Sequence, residues 1–366
     1  MPVPELGGTG FSLMEVFMKR RFFSTIMVSA LILAMLAFVT GCSKSDKKEL
    51  YLFNWTYYTP DDVIAQFEQE FGVKVNVDNF ASNEEMFAKL KAGASGYDIV
   101  FPSQDYASIM IAEGMLQEID HSKVPNLKNI NSFVLEKATY DPTMKYAVPY
   151  YMGIAGIAVN KTKVTEYGKS WNIFGRTDLK NRMCMMDDLR EVIGDALVYQ
   201  GHSVNSVNDA ELEAAKNLIV NEWKPNLVTF DAEGFGKAFA RGDFWVVQGY
   251  EEVVFSEIPE DKWDIVDFFI PDEGGPMYLD SMCVLKNAKN YDTALEFINF
   301  IHRPEIYAKF LDFFNFPNSV NTEADKYMTK KPAYNASDME RGELKYDLGE
   351  NLAKYNAIWQ DIRFTE

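Results

Sequence analysis

Three short stretches place carboxylates beside aromatic or amide side chains at the ends of strand-like runs. "PSQDY" (102–106) contains Ser103, Asp105 and Tyr106, and it belongs with the ring-dense "YLFNWTYYTP" (51–60) that precedes it. "MMDDLREV" (185–192) ends a strand at Asp187 and Asp188 and carries Glu191 one turn into a helix. The spacing of three sets Asp188 and Glu191 on one side of that turn. "MYLDSM" (277–282) holds Tyr278 and Asp280 at equal strand parity, so both face the same way. Carboxylates accept from ammonium groups, and each ring facing a cation adds about 0.5–2 kcal/mol. Gathered from distant segments, these residues describe a box for an alkyl-ammonium ion, with rings that exclude water and cover methylenes. Each stretch also has a plainer reading. Asp188 can N-cap its helix with Glu191 completing a capping-box-like arrangement, and Arg190 can neutralise either. Asp280 beside Ser281 can be a turn residue, and "QDYA" a simple helix cap.

Alternating strand and helix patterns must position these groups. Tyr51, Phe53, Trp55 and Tyr57 share one strand parity, with Leu52, Asn54 and Thr56 on the other. Tyr58 breaks the pattern where Thr59-Pro60-Asp61-Asp62 reads as a helix start. Helix 61–71, strand 73–80, helix 83–92, strand 97–103 and helix 105–113 follow, which predicts a parallel sheet with helices on its faces. The apolar run 146–160 is too long for one ordinary strand and reads as a strand leaving one domain for another. A second α/β block follows, with helices at 190–200, 209–222 and 233–240. Residues 263–287 read as another crossing, and helices 290–302 and 304–314 precede a helical tail. Two α/β lobes joined by extended crossings imply a cleft with a hinge. Ligands of open α/β sheets sit where strands end.

The chain has 366 residues and a net charge of −18, which argues against nucleic acid as a partner and suits a cationic one. Lys19-Arg20-Arg21 followed by an apolar run (22–41) reads as a signal peptide over 1–41. Residues 1–17 precede a better start at Met18, and the apolar run is also long enough for a transmembrane helix. "VTGC" resembles a bacterial lipoprotein cleavage box, which would make Cys42 the acylated first residue of the mature chain. Residues 42–49 would then be the lipidated cysteine and tether, anchoring the protein to the lipid bilayer without spanning it. Cys184 and Cys283 could pair in an oxidising compartment, but both lie in apolar strand-like runs, which favours two buried free thiols over a disulfide. His121, His202 and His302 are scattered without ligand spacing, so neither a metal nor a cofactor is expected.

Eight stretches in one order carry a resemblance over essentially all of the mature chain. They are "FNWTYYTP" (53–60), "SNEEMFAKLKAG" (82–93), "YDIVFPS" (97–103), "EGMLQEID" (113–120), "DDLREV" (187–192), "YLDSM" (278–282), "ALEFINFIHRPE" (294–305) and "YDLG" (346–349). The chain resembles the bacterial periplasmic spermidine/putrescine-binding proteins that deliver polyamines to ATP-driven importers. The resemblance implies an α/β, two-lobed type II solute-binding fold, each lobe a central sheet flanked by helices with the ligand cleft between them. Lobe 1 would comprise 50–152 and 279–324, and lobe 2 would comprise 153–278 and 325–366. It also implies an ABC-type permease as partner, a periplasmic location and no catalysis.

Matched position by position, Trp55 and Tyr58 resemble the aromatic walls, and Ser103 lies at the turn that touches an amine. Asp188 and Glu191 resemble the carboxylates that hold amines, and Asp280 the one from the opposite edge. Thr56, Asp105, Tyr106 and Phe316 complete the implied lining. Tyr278 stands where the spermidine-type protein has a tryptophan. Four departures follow. An acidic residue of the family is Tyr57 here; a wall tryptophan is Gln248; Glu251 aligns with an aspartate of putrescine-type members; and Lys345 replaces a glutamine at the long end of the site. A lysine there opposes a third ammonium, so putrescine is expected to bind at least as well as spermidine. The competing functions are a same-fold receptor for a sugar or ferric ion, and a glycoside hydrolase using paired carboxylates. Converging carboxylates are not needed for sugar, clustered tyrosines for iron are thin, and no nucleophile–base pair supports an enzyme.

Overall fold

The computed structural model describes residues 48–56 and 58–364, so the signal segment, Cys42, most of its tether and Tyr57 lie outside the described residues. Residues 48 onward form one compact unit. Strand β1 (Lys48–Trp55) pairs in parallel with β2 (Val73–Phe80) and β3 (Ile99–Val100). The helix between β1 and β2, Asp61–Phe71, starts after Pro60 with two acids in its first turn and ends at Gly72 in the left-handed region. Its buried Val63 and Phe67 join Leu50 and Leu52 of β1 in one core. Phe53, Phe80 and Val100 turn to the opposite face, against Met86 and Leu90 of helix Asn83–Lys91. Both faces of these three parallel strands are covered, but the sheet as a whole is mixed rather than the parallel one the alternation predicts, because a later strand, Pro276–Val284, joins β3 antiparallel. Much of the aromatic crowding in 51–60 is therefore core: Phe53 stacks on Tyr97, with ring centroids 4.6 Å apart.

The apolar run at 146–160 does pass between sheets. Strand β4 (Ala147–Ile154) pairs with β10 (Pro276–Val284), whereas β5 (Gly156–Asn160) lies between β8 (Val246–Gly249) and β9 (Val266–Phe269). Among the described residues there are two sheets. The six-stranded one runs β11-β10-β3-β1-β2, with β4 also on β10 and β11 at Glu343–Leu344; the five-stranded one runs β7-β6-β8-β5-β9. Here β6 is Met183–Met185 and β7 is Leu227–Phe230. Strand β10 is reached from β9 by a second crossing. A third crossing leads from β11 to the last helix, Leu352–Phe364, whose Tyr355, Trp359 and Ile362 join the core of the second lobe.

Cys184 and Cys283 are free, buried thiols on strands of different sheets. Burial pushes the Cys184 thiol up to about 12 and that of Cys283 higher still. Among the described residues no helix is long and apolar enough to cross a membrane.

Candidate functional site

Asp280 sits where the β4–β10 register shifts, between Asp280 and Ser281, and it bridges to Ser103 at the end of β3. Ser103 is the N-cap of helix Gln104–Ala112 but does not cap it with its side chain. Its Oγ donates instead to Asp280 Oδ1 at 2.6 Å, while Asn83 brackets Ser103 through Nδ2 (3.0 Å to Oγ) and Oδ1 (3.1 Å from the amide). Tyr58 donates its hydroxyl to Asp280 Oδ2 at 2.8 Å, and its own carbonyl is held by the Tyr150 hydroxyl at 2.8 Å. Each oxygen of Asp280 thus has one donor, yet the residue is 5% exposed. Burial pushes its carboxyl up to about 6, against the two hydrogen bonds and the nearby Lys345 cation.

The second carboxylate comes from the other lobe. Asp188 caps helix Leu189–Tyr199, its Oδ1 accepting from the amides of Arg190 (2.8 Å) and Glu191 (3.1 Å). That cap fixes Glu191 in the first turn, where it is 0% exposed. Glu191 Oε1 receives both the Lys345 ammonium and the Tyr250 hydroxyl, the latter at 3.1 Å, while Oε2 has no hydrogen-bond partner. Burial raises the Glu191 pKa, and Lys345 opposes that rise. Arg190 neutralises neither acid, since its guanidinium donates to the Tyr346 carbonyl (2.9 Å) and Asn205 Oδ1 (2.7 Å).

Between these two ends stands Tyr278, whose ring meets Tyr250 edge-on at 5.4 Å and Tyr151 at 6.2 Å. Gly153 lies against it, and a Cβ there would fall 2.5 Å from the Tyr278 hydroxyl. Gly153→Ala is therefore expected to displace the ring and destabilise the fold by about 1–3 kcal/mol, read as a lower urea midpoint with an unchanged slope. Glu251 and Glu252 lie behind Tyr278. Burial raises both, Glu252 to about 7, and Glu251 Oε1 and Glu252 Oε2 lack hydrogen-bond partners.

The structure thus brings together Tyr58, Ser103, Glu191, Glu251, Tyr278, Asp280 and Lys345. The other candidates are placed differently. Trp55 donates Nε1 to the Phe101 carbonyl at 2.8 Å and packs on Phe80, and Thr56 is exposed. Asp105 accepts the amide of Tyr106 at 3.0 Å but stays near the gathered residues, within reach of the charges of Lys345 and Asp280, and the Tyr106 ring lies edge-on to Phe87. Phe316 is fully buried, stacked on Tyr151 at 3.9 Å. Gln248 accepts from the Met186 amide at 2.9 Å and donates to buried Asp195, so it forms no wall. Tyr250 supplies a ring beside Glu191 that the sequence reading missed, along with Glu252, Asp195 and Asn83. The only signal was the ring-and-acid run "YEE" (250–252) immediately after a strand.

Rings and acids thus line one candidate site, in which several buried carboxylate oxygens have no protein donor and burial raises the acids' pKa values. A buried carboxylate needs either a proton or a cationic partner, so these oxygens can accept one or the other.

A family model described as bacterial extracellular solute-binding protein matches residues 62–336. The chain is 32% identical over 333 residues to the spermidine/putrescine-binding periplasmic protein of Salmonella typhimurium, covering 89% of this chain and 94% of that one. It is 34% identical over 318 residues to the putrescine-binding periplasmic protein SpuD of Pseudomonas aeruginosa, covering 82% and 85%. Among solved structures it is similar to the TpPotD lipoprotein of Treponema pallidum, with a TM-score of 0.84, 51% identity, and coverage of 87% of this chain and all of that one. The structure of the spermidine/putrescine ABC transporter substrate-binding protein PotD from Streptococcus pneumoniae gives a TM-score of 0.77 at 26% identity, over 86% and 98%. The two-lobed α/β architecture and these similarities agree: the chain belongs to the bacterial extracellular solute-binding proteins, in the group of the spermidine/putrescine-binding periplasmic proteins.

Proposed function

We propose that the protein is the polyamine receptor of an ATP-driven importer, closing its two lobes on putrescine or spermidine and presenting it to an ABC-type membrane permease. The observation that carries this reading is the set of buried acids at the lobe junction. Asp280 comes from one lobe and Glu191 and Glu251 from the other, with half-buried Glu252 beside Glu251 and the rings of Tyr58, Tyr278 and Tyr250 between them. One ammonium would meet Asp280 beside Ser103 and Tyr58; a second would meet an acid of the opposite lobe. A ligand spanning the two would favour the closed form by its differential contacts with it. The relatives' polyamine binding and transport role support the same reading. So does the nature of the site, which holds acids for charge and rings for methylenes and calls for no chemical step. The export signal and Cys42 fit a lipid-anchored protein on the periplasmic side of a bacterial membrane.

A thermal-unfolding panel tests this. Putrescine and spermidine are expected to raise the midpoint by several degrees, since a ligand at about 1,000 times its Kd adds about 4 kcal/mol. Maltose and ferric citrate are expected to leave it unchanged. A shift with maltose or iron and none with either amine would assign the fold to another solute.

A further inference from the structure

We infer that Asn83 is a positioning residue of the ammonium site: it holds the Ser103 side chain off its own helix and directs the single Ser103 proton to Asp280. This rests on the polyamine-receptor reading and deepens it.

The stretch "SNEE" (82–85) builds the position. Ser82 Oγ accepts from the Glu85 amide at 3.2 Å, and Glu85 Oε2 accepts in return from the Ala81 amide at 2.9 Å. That reciprocal pair fixes the start of helix Asn83–Lys91 without using the Asn83 side chain. Asn83 is left to reach across to the start of helix Gln104–Ala112. The strands that lead into these two helices, β2 and β3, lie on either side of β1. Asn83 therefore spans the end of β1, where the site begins.

The contacts fix the direction of each hydrogen bond. The Ser103 amide can only donate, and it donates to Asn83 Oδ1, so Nδ2 is the Asn83 atom that faces Ser103 Oγ. A serine hydroxyl has one proton and two lone pairs. Nδ2 occupies one lone pair, and the proton goes to Asp280 Oδ1. The second lone pair is left for a ligand ammonium lying against Asp280.

Without Asn83 the same hydroxyl has another place to go. Ser103 is an N-cap residue whose carbonyl accepts from the Ala107 amide at 2.8 Å. A serine in that place ordinarily turns back and accepts from the second or third amide of its helix. Here Asp105 Oδ1 takes the Tyr106 amide at 3.0 Å, and Ser103 is held outward. The backbone bridge between Ser103 and Asp280 keeps the two residues adjacent. The direction of the hydroxyl is thus the freedom that Asn83 removes. A carboxylate that loses a donor takes up a proton more readily. Besides Tyr58, the ionisable groups around Asp280 are Lys345, Asp105, Glu252, Tyr278, Tyr150 and Tyr140, and Asn83 hydrogen-bonds to none of them.

The test titrates putrescine calorimetrically into the full-length protein in detergent, as wild type, Asn83→Ala, Ser103→Ala and the double variant. Each single variant is expected to bind about tenfold more weakly, and the double variant within about threefold of either. The ratio of Asn83→Ala to wild-type Kd should widen about threefold from pH 8 to pH 6, because Asp280 with one donor fewer takes up its proton at a higher pH. A variant that merely displaced the helix would give a ratio constant across that range. Losses that multiply to about 100-fold in the double variant would overturn the inference. Wild-type affinity in Asn83→Ala, or a ratio that does not change with pH, would do the same. Ser103→Ala leaves Asn83 in place, so unchanged affinity in it would overturn the inference even where Asn83→Ala does not fold. No binding of putrescine or spermidine to the wild type would remove the receptor reading and the inference together, an outcome distinct from amines that bind wild type and variants alike.

Discussion

Asp280→Asn is expected to weaken putrescine binding by about 100-fold or more, in line with the roughly 2–5 kcal/mol lost when one member of a buried, hydrogen-bonded charge pair is removed. Asp280 has both oxygens oriented by fixed donors, Ser103 at 2.6 Å and Tyr58 at 2.8 Å, on a strand that pairs along its length with β4. Those donors hold the carboxylate in place without cancelling its charge. Asparagine keeps the shape and one acceptor but offers an ammonium no charge. The fold should tolerate it, because the substitution removes a buried carboxyl that burial already disfavours. Calorimetric titration beside a urea melt separates the two effects. Affinity near the wild-type value in a folded variant would place the ammonium elsewhere.

Putrescine affinity is also expected to fall steeply with acidification. Without ligand, burial sets Asp280 at about 6 and Glu252 at about 7, while alkyl ammoniums stay charged throughout this range. A bound cation favours the ionised carboxyl, so below these values each ammonium must displace a proton. Affinity should be flat above about pH 7.5 and drop about tenfold by pH 5 for Asp280 alone. At pH 6 the measured enthalpy should depend on the ionisation enthalpy of the buffer, which reports proton release directly. Stability without ligand runs the other way. A carboxyl raised by folding stabilises the fold fully below its unfolded pKa of about 3.9, and loses that contribution as pH rises through its folded value. The wild type should therefore lose stability relative to Asp280→Asn between pH 4 and pH 7. A pH-independent affinity from 5 to 8 would mean that these acids do not meet the ligand.

Local signals made much of the fold readable. Helix Asp61–Phe71 and strand Val73–Phe80 emerge to the residue because Pro60, the acidic first turn and Gly72 mark their ends chemically. The crossing at 146–160 was readable from an apolar run too long for one strand, and that at 263–287 from two strand-like stretches about a Gly-Pro turn. The site was only partly so. Tyr58 and Ser103 lie just beyond strand ends and Asp280 in mid-strand at a register shift, in motifs the sequence made visible. Gln248 and Tyr250 are two residues apart at the end of β8, and nothing local shows where that strand stops or which of the two reaches Glu191. The destination of Gln248, the buried Asp195 on a distant helix, is a tertiary fact. The pairing of Lys345 with Glu191 likewise spans 154 positions and depends on the third crossing.

The most direct test of the receptor function is calorimetric titration of putrescine into the chain from Ser43 onward, after partial unfolding and refolding to strip any ligand carried through purification. One-site binding at micromolar Kd or tighter, about −8 kcal/mol or better, is expected, and it should be lost in Glu191→Gln and Asp280→Asn. No heat with putrescine or spermidine, from refolded protein that melts cooperatively, would contradict the assignment of this ring- and acid-lined site to polyamines.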